Sequence, residues 1–463
     1  MKRPRYVTLK LEKIVGGGQA IGTLEDGRKC FVWGGLPGET VTVRIIKKKS
    51  HFVEGVVTEV LTASPERIQP RDPDSYLSTS PWQIMNFDAE QRYKAALIKE
   101  AFELHDIILP NPIEIFIDGR EFHYRNKVEF SWYSELAAAS LEASHSQDNP
   151  ERSGAVLTND DDEEAGSIAE TLDLAFFRRG SKGKIPVENS SLLPPAIITL
   201  ARAIRDLLRT KPVSARNLKT LLIRCDRQGN CVWQLYLKDE ISGLITPDEA
   251  AALPAQGGEI IYSDPKSPAS KITKRLTAFD NTTLTDHILG VPFRYACEGF
   301  FQVNLPVYEQ ALRDMSEWVD EKSEHTTLDL YSGVGTIGLT IGGSHVTLVE
   351  INEHAATEMR RNIAQLDCPH ARAVLAPSEK ALDYIIADQL VIVDPPRAGL
   401  HADVIAKLLE TAPPRIIYLS CNPATQARDV ALLAAKYGIR AHRGYNFFPR
   451  TPHIEHLVVL DRK

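Results

Sequence analysis

Leu328-Asp329-Leu330-Tyr331-Ser332-Gly333-Val334-Gly335-Thr336-Ile337-Gly338 decides the fold of the carboxyl-terminal part of this chain. An apolar run starting at Thr326 ends in an acid-bearing turn, and three glycines in a Gly-x-Gly-x-x-Gly pattern then open a helix. Glycines in that place let backbone come close to a ligand at the first strand-to-helix turn. Outward from it the same unit recurs: His345-Val346-Thr347-Leu348-Val349-Glu350, Leu390-Val391-Ile392-Val393-Asp394 and Arg415-Ile416-Ile417-Tyr418-Leu419. Near-continuous apolar strands alternating with helices predict a mainly parallel, doubly wound α/β sheet, whose chemistry lies at the carboxyl ends of its strands.

The glycine pattern alone fits several cofactors. Glu350, at the end of the second strand, is placed to meet the two hydroxyls of a ribose, which NAD and S-adenosylmethionine both carry. Asp329 tilts the reading toward S-adenosylmethionine, because its sulfonium and ammonium groups favour a nearby negative charge. An NAD-dependent dehydrogenase rests on the glycines and nothing else.

Three further strand ends carry candidate chemistry: Asp394-Pro395-Pro396-Arg397-Ala398-Gly399, Ser420-Cys421-Asn422-Pro423 and Pro452-His453-Ile454-Glu455-His456. Asp-Pro-Pro resembles the motif by which amino-methyltransferases hold an exocyclic amine, but Arg397 stands where those enzymes have an aromatic. Cys421 precedes a helix amino terminus, whose dipole favours a thiolate; the plain alternative is a small buried hydrophobe. Glu455 choosing between a strand-edge carboxylate and a base gains a job from Cys421. Methylation of carbon 5 of uracil needs a thiolate to add at carbon 6 and a base to remove the proton left on carbon 5. Cys421 and Glu455 are the pair suited to those roles.

Ahead of this region the chain changes character. Residues 1–62 alternate apolar and polar in short runs broken by Gly16-Gly17-Gly18 and Gly34-Gly35-Leu36-Pro37-Gly38, which predicts a small OB-like β-barrel. Its first 60 residues hold eleven Lys and Arg against six acids, and Lys47-Lys48-Lys49 at the rim suits a phosphate backbone. A helix is expected from Asp88 to Leu104. Residues 75–300 read as a central α+β domain with an acidic insertion near 137–170, and residues 301–463 as the α/β domain. The insertion explains much of the formal charge of −7, so the overall acidity does not exclude an RNA partner.

Six scattered cysteines, Cys225 and Cys231 among them flanking a hairpin turn, fit a reducing cytoplasm and offer no metal spacing. No apolar run reaches the roughly 18–20 residues needed to span a bilayer, and the amino terminus lacks a signal-peptide core.

Taken together, Phe300-Phe301-Gln302-Val303-Asn304, the Asp329 loop, Asp394-Pro395-Pro396-Arg397-Ala398-Gly399, Ser420-Cys421-Asn422-Pro423-Ala424-Thr425 and His453-Ile454-Glu455 resemble the bacterial RNA uracil-5 methyltransferases, which make 5-methyluridine. Leu36-Pro37-Gly38-Glu39 and its surroundings look like a TRAM domain, an RNA-binding barrel. The resemblance implies a class I methyltransferase domain of Rossmann-like form with Cys421 as nucleophile and Glu455 as base. It implies that Gln302, Tyr331, Thr336, Glu350 and Asp394 line an S-adenosylmethionine site, Asp394 and Gln302 also touching the uracil; Thr336 stands where relatives often have Asn. Many relatives hold an iron–sulfur cluster after the barrel, but the matching stretch 73–83 has no cysteine, so no cluster and no other metal is expected. The expected partner is RNA, ribosomal before transfer RNA, acted on by a monomer in the cytoplasm and away from any membrane. Cytosine carbon 5 is a weaker alternative, since such enzymes usually add a second cysteine in the Pro-rich motif.

Overall fold

Five short strands close on themselves in the order Tyr6–Ile14, Ala20–Thr23, Lys29–Trp33, Phe52–Thr62, Thr40–Lys48, in a computed structural model that describes residues 5–136, 170–181, 183–319, 326–343 and 345–463. Closure follows from the alternating pattern: Leu9, Leu11, Val32, Val41, Val43 and Val53 all point into one small core. Gly55 is required where strands cross closely, since a Cβ there would lie 2.2 Å from Val43 Cγ1. Glu39, fully buried, anchors the barrel's exit. It accepts from Arg67 at 2.5 and 2.7 Å, from Leu36 N and from Ser64 N. Lys47, Lys48 and Lys49 are exposed, with Lys47 paired to Glu54 at 2.6 Å. The acidic insertion, all but its last residue, lies outside the described residues.

A second sheet of seven strands runs from Lys274–Asp280 through Leu218–Cys225 to Lys184–Pro186. The helix Pro195–Arg209 covers one of its faces, burying Ile197, Leu200, Ala201, Ile204 and Leu208. Cys225 and Cys231 face each other across the hairpin predicted from their turn and are both 1% exposed. The opposite face packs through Leu222, Val232, Tyr236 and Ile261 onto the third layer system, by way of the hairpin Thr283–Ile288/Val291–Ala296 and the helix Leu305–Trp318.

The third sheet is the doubly wound one. Its order is Arg372–Leu375, Val346–Glu350, Thr326–Leu330, Gln389–Val393, Arg415–Ser420, Glu455–Arg462, Tyr437–Tyr445, Ile115–Phe116. The first five strands pair in parallel, whereas Glu455–Arg462 runs antiparallel between its neighbours. Both faces are covered, which is why the strands read as unbroken apolar runs: Leu330, Val391, Val393, Ile416 and Tyr418 face one cluster, while Leu390, Ile392, Ile417 and Leu419 face the other. The order reverses between Thr326–Leu330 and Gln389–Val393, and a crevice outside the carboxyl ends at such a switch point is where ligands bind.

The helix Phe87–Glu103 and the strand Ile115–Phe116 fall within the range 75–300 that the sequence assigned to the central domain. They pack instead on the third sheet, the helix burying Leu97, Ile98, Ala101 and Phe102 against Ala427, Val430 and Leu433, and the strand pairing with Gly444 and Tyr445. A two-residue strand has no periodicity to read. Among the described residues no helix is long and apolar enough to cross a membrane, and no group of three or more His, Cys, Asp or Glu is arranged to hold a metal.

Candidate active site

Cys421 follows the strand Arg415–Ser420 and precedes the helix Pro423–Leu433. Asn422 caps that helix, its Oδ1 accepting from Ala424 N at 3.3 Å, while its Nδ2 donates to Arg397 O at 2.9 Å. Thr425 Oγ1 donates to the same carbonyl at 3.1 Å. Asp429, fully buried one helical turn on, accepts from Leu400 N and Tyr418 OH, each at 2.8 Å. Gly399 adopts φ +82, and a Cβ there would meet Asp429 Oδ2 at 2.5 Å. The Asp394–Gly399 turn and the Cys421 turn are thus held as one piece.

Glu455 reaches the same place by sheet register. Ser420 pairs with His456 across the antiparallel ladder, so one further step sets Cys421 opposite Glu455, side chains on one face. Gln426, fully buried, fixes that register: its Nε2 donates to Tyr418 O and His456 O, both at 2.9 Å, and its Oε1 accepts from His456 Nδ1 at 2.7 Å. The segment leading into Glu455 is braced by the helix Phe87–Glu103. There Lys94 donates to Asn446 Oδ1 at 2.5 Å and Phe448 O at 3.2 Å, and Glu90 accepts from Arg450 N.

The titratable groups at this centre are mostly acids and are poorly solvated. Burial pushes the Glu455 carboxyl well above the usual carboxylate range, Asp394 adds to the rise, and Arg397 opposes it. Asp394 itself is pushed up to about 7 by burial. The Cys421 thiol, half-buried, is raised to about 11 by burial first, then by Glu455 and Asp394, with Arg397 acting the other way. The thiolate expected from the helix dipole is therefore disfavoured in the free protein, because burial first, and the two carboxyls after it, outweigh one helix end. Arg397 also donates to His453 Nδ1 at 2.6 Å. His453 is held down to about 4 by burial and by neighbouring cations, Arg397 foremost, so it is neutral near pH 7 with its proton assigned to Nε2. Arg397, Cys421, Pro452, His453, Gly16 and Gly17 line a cleft of about 430 Å³.

The candidate cofactor residues adjoin this centre at the switch point. Tyr331 (φ 65), Gly333 (φ 57) and Gly335 (φ 90) all take left-handed backbone, which turns the loop back over the strand end. Glu350 receives Gly333 N at 2.9 Å and Asn352 N at 2.7 Å. Thr336 Oγ1 lies 2.7 Å from Tyr308 OH. Asp329, fully buried, accepts Gly338 N at 2.9 Å through one oxygen; the other has no partner. Burial, with Asp394 and Glu350 adding to it, raises Asp329 to about 8. Asn304, 1% exposed, has neither side-chain polar atom bonded. Buried polar groups are rarely left so, and these orphans, with the carboxyl cluster, fit a polar ligand carrying positive charge. The backbone carbonyl of Gln302 accepts from Asn126 Nδ2 at 3.2 Å, which ties its segment to the central sheet. Sequence reasoning passed over His453, Arg397's grip on it, and Asn304. The His-Ile-Glu and Phe-Gln-Val-Asn motifs held the signal.

The model for the TRAM domain matches residues 5–58, and that for the tRNA (uracil-5-)-methyltransferase family matches residues 379–463. The chain is 27% identical over 459 residues to an uncharacterized RNA methyltransferase of Enterococcus faecalis, covering 94% of this chain and 93% of that one. The chain thus carries a domain of the tRNA (uracil-5-)-methyltransferase family together with a TRAM domain, and its relatives are RNA methyltransferases. A second such relative, from Nitratidesulfovibrio vulgaris, is 25% identical over 487 residues, covering 98% and 95% of the two chains. Among solved structures, the fold is shared with Pyrococcus abyssi tRNA (uracil-54, C5)-methyltransferase in complex with S-adenosyl-L-homocysteine, at 20% identity and TM-score 0.74 over 98% of this chain and 100% of that one. The family match spans the Cys421 and Glu455 turns, and the TRAM match covers all but the last four residues of the closed barrel.

Proposed function

We propose that this chain methylates carbon 5 of a uridine in RNA through a covalent bond to Cys421. The register that sets Cys421 opposite Glu455, beside Asp394 and Arg397, is the observation that carries this reading. S-adenosylmethionine supplies the methyl group, carried on a positive sulfonium. Tyr331, Thr336, Glu350 and Asp394 hold it with Gln302, and the orphaned atoms of Asp329 and Asn304 suit its polar groups.

The target base is turned out of its stack to enter the cleft. Cys421 gives up its proton to solvent and its sulfur bonds to carbon 6, which drives electron density onto carbon 5. Arg397, the cation that lowers both Cys421 and Glu455, favours the charged forms of that pair. Once carbon 5 bears the methyl group, Glu455 as carboxylate removes the remaining proton there, and the returning electrons expel the Cys421 thiolate. The products are 5-methyluridine, S-adenosylhomocysteine and the free enzyme, the carbon-5 proton passing through Glu455 to solvent.

The proposed target is ribosomal RNA, met by a monomer in the cytoplasm; transfer RNA is the alternative, favoured by the activity named for the Pyrococcus abyssi enzyme. Cytosine is disfavoured because Asp394-Pro395-Pro396-Arg397 lacks a second cysteine. RNA containing 5-fluorouridine has no removable proton at carbon 5, so wild-type protein with methyl donor should form an adduct stable to denaturation. Cys421→Ala should form none. Glu455→Gln should accumulate the adduct even on ordinary RNA, with turnover down by about 10²–10⁴. Absence of the wild-type adduct, or its survival in Cys421→Ala, would overturn the mechanism. Mapping 5-methyluridine in both RNA classes from cells lacking the protein decides the target.

A further inference from the structure

A second cavity, of about 480 Å³, lies behind the catalytic turn, and His453 lines both it and the cleft of Cys421. Arg125, Lys127 and Arg179 supply its charge, and Ser78, Thr79 and Ser190 its hydroxyls, with Glu129 the one carboxylate in its lining. The three cations make hydrogen bonds to carbonyl oxygens only: Arg125 Nε to Lys127 O at 3.1 Å, Lys127 Nζ to Glu298 O at 3.1 Å, Arg179 Nε to Leu77 O. Among the described residues none of them forms an ion pair. Arg179 also stacks its guanidinium 4.1 Å over the barrel's Trp33, so the cavity opens where barrel, central sheet and catalytic turn meet.

Three cations gathered in a partly enclosed cavity without carboxylate partners are costly in the free protein. Burial, then the nearby Arg224, holds Lys127 down to about 8. Arg125 and Arg179 are also among the charges that depress His453, which places their field at the edge of the catalytic cleft. An anion with several acceptor oxygens would satisfy guanidinium forks, ammonium and hydroxyls together. In an enzyme that everts a base into the adjoining cleft, the anion that arrives with the substrate is the strand's own phosphodiester.

We propose that this cavity is the binding site for the RNA phosphates next to the target uridine, with Arg125, Lys127 and Arg179 as the contacting side chains. The inference rests on the RNA reading above and adds the residues by which the central domain engages the strand. The test uses the full chain and in-vitro transcripts of ribosomal and transfer RNA. Binding is measured at several salt concentrations for wild type, Lys127→Met, Arg125→Gln and the charge-keeping Arg179→Lys. Each lost phosphate contact should weaken binding of both transcripts alike and flatten the slope of log affinity against log salt by about 0.7. Arg179→Lys should keep the wild-type slope. Lys127→Met should be no less stable to denaturant than wild type, because it removes a poorly solvated charge.

Unchanged affinity and slope in both Lys127→Met and Arg125→Gln would overturn the proposal. So would a loss of affinity that tracks a loss of stability. The binding readout does not depend on methyl transfer. A protein that bound RNA with the expected slopes but made no 5-methyluridine would sink the proposed reaction and leave the phosphate site standing.

Discussion

In the proposed reaction Cys421 is the residue on which the chemistry turns, and its surroundings set a sign that can be measured. Burial, with Glu455 and Asp394 behind it, raises the thiol to about 11. A group whose pKa lies that far above neutrality is almost wholly protonated at pH 7, and its thiolate fraction climbs about tenfold per pH unit below the pKa. Alkylation of Cys421 by iodoacetamide in the ligand-free protein, followed by peptide mass spectrometry, should therefore accelerate without a break from about pH 7 to about pH 10. Arg397→Gln should slow it at every pH, since that guanidinium is the cation that pulls the thiol down. A rate that levels off near neutrality would show the thiolate already formed and this electrostatic account wrong. The sequence singled out Cys421 and Glu455 because the proposed chemistry demands a pair, and the register sets the two opposite each other. It could not reveal the acidity around them, which depends on how deeply three separate strand ends are buried together.

At the scale of elements, what brings Cys421 and Glu455 together is the register between Arg415–Ser420 and Glu455–Arg462. The sequence predicted both strands, but as parts of a mainly parallel sheet, and nothing in an apolar run reveals that the last strand inserts antiparallel beside the fifth. Gln426 was equally hidden, reading as one more residue of a helix. Its amide bridges the two strands through Tyr418 O, His456 O and His456 Nδ1. Gln426→Leu keeps the size but strands the buried His456 donor, at a cost of about 1–3 kcal/mol. The expected result is a lower denaturant midpoint together with slower adduct formation on 5-fluorouridine RNA, because Glu455 and Cys421 lose their common frame. Wild-type stability and adduct rate in this variant would mean that the ladder alone holds the register.

Across the whole molecule, the barrel, read correctly from its short alternating runs and glycine turns, is seated where no local pattern could have put it. Its Gly16-Gly17-Gly18 turn lies against the catalytic segment: Gly16 and Gly17 line the Cys421 cleft, and Gly18 O accepts from Trp82 Nε1 at 3.0 Å. Gly18 takes φ +91, and a Cβ there would stand 2.1 Å from Pro452 Cβ and 2.6 Å from its Cγ. Pro452 precedes His453 and Glu455, so a push on the barrel turn is a push on the Glu455 segment. The consequence is that the barrel helps shape the mouth of the cleft, besides exposing Lys47, Lys48 and Lys49. Gly18→Ala tests this, since it adds one methyl group far from the glycine loop of Gly333 and Gly335. RNA methylation should fall in kcat/KM, while binding of S-adenosylhomocysteine, measured by calorimetry, should stay at the wild-type value. If both fall together the barrel is needed for the fold as a whole; if neither changes, the turn yields without moving Pro452 and the barrel acts only as a tether for RNA.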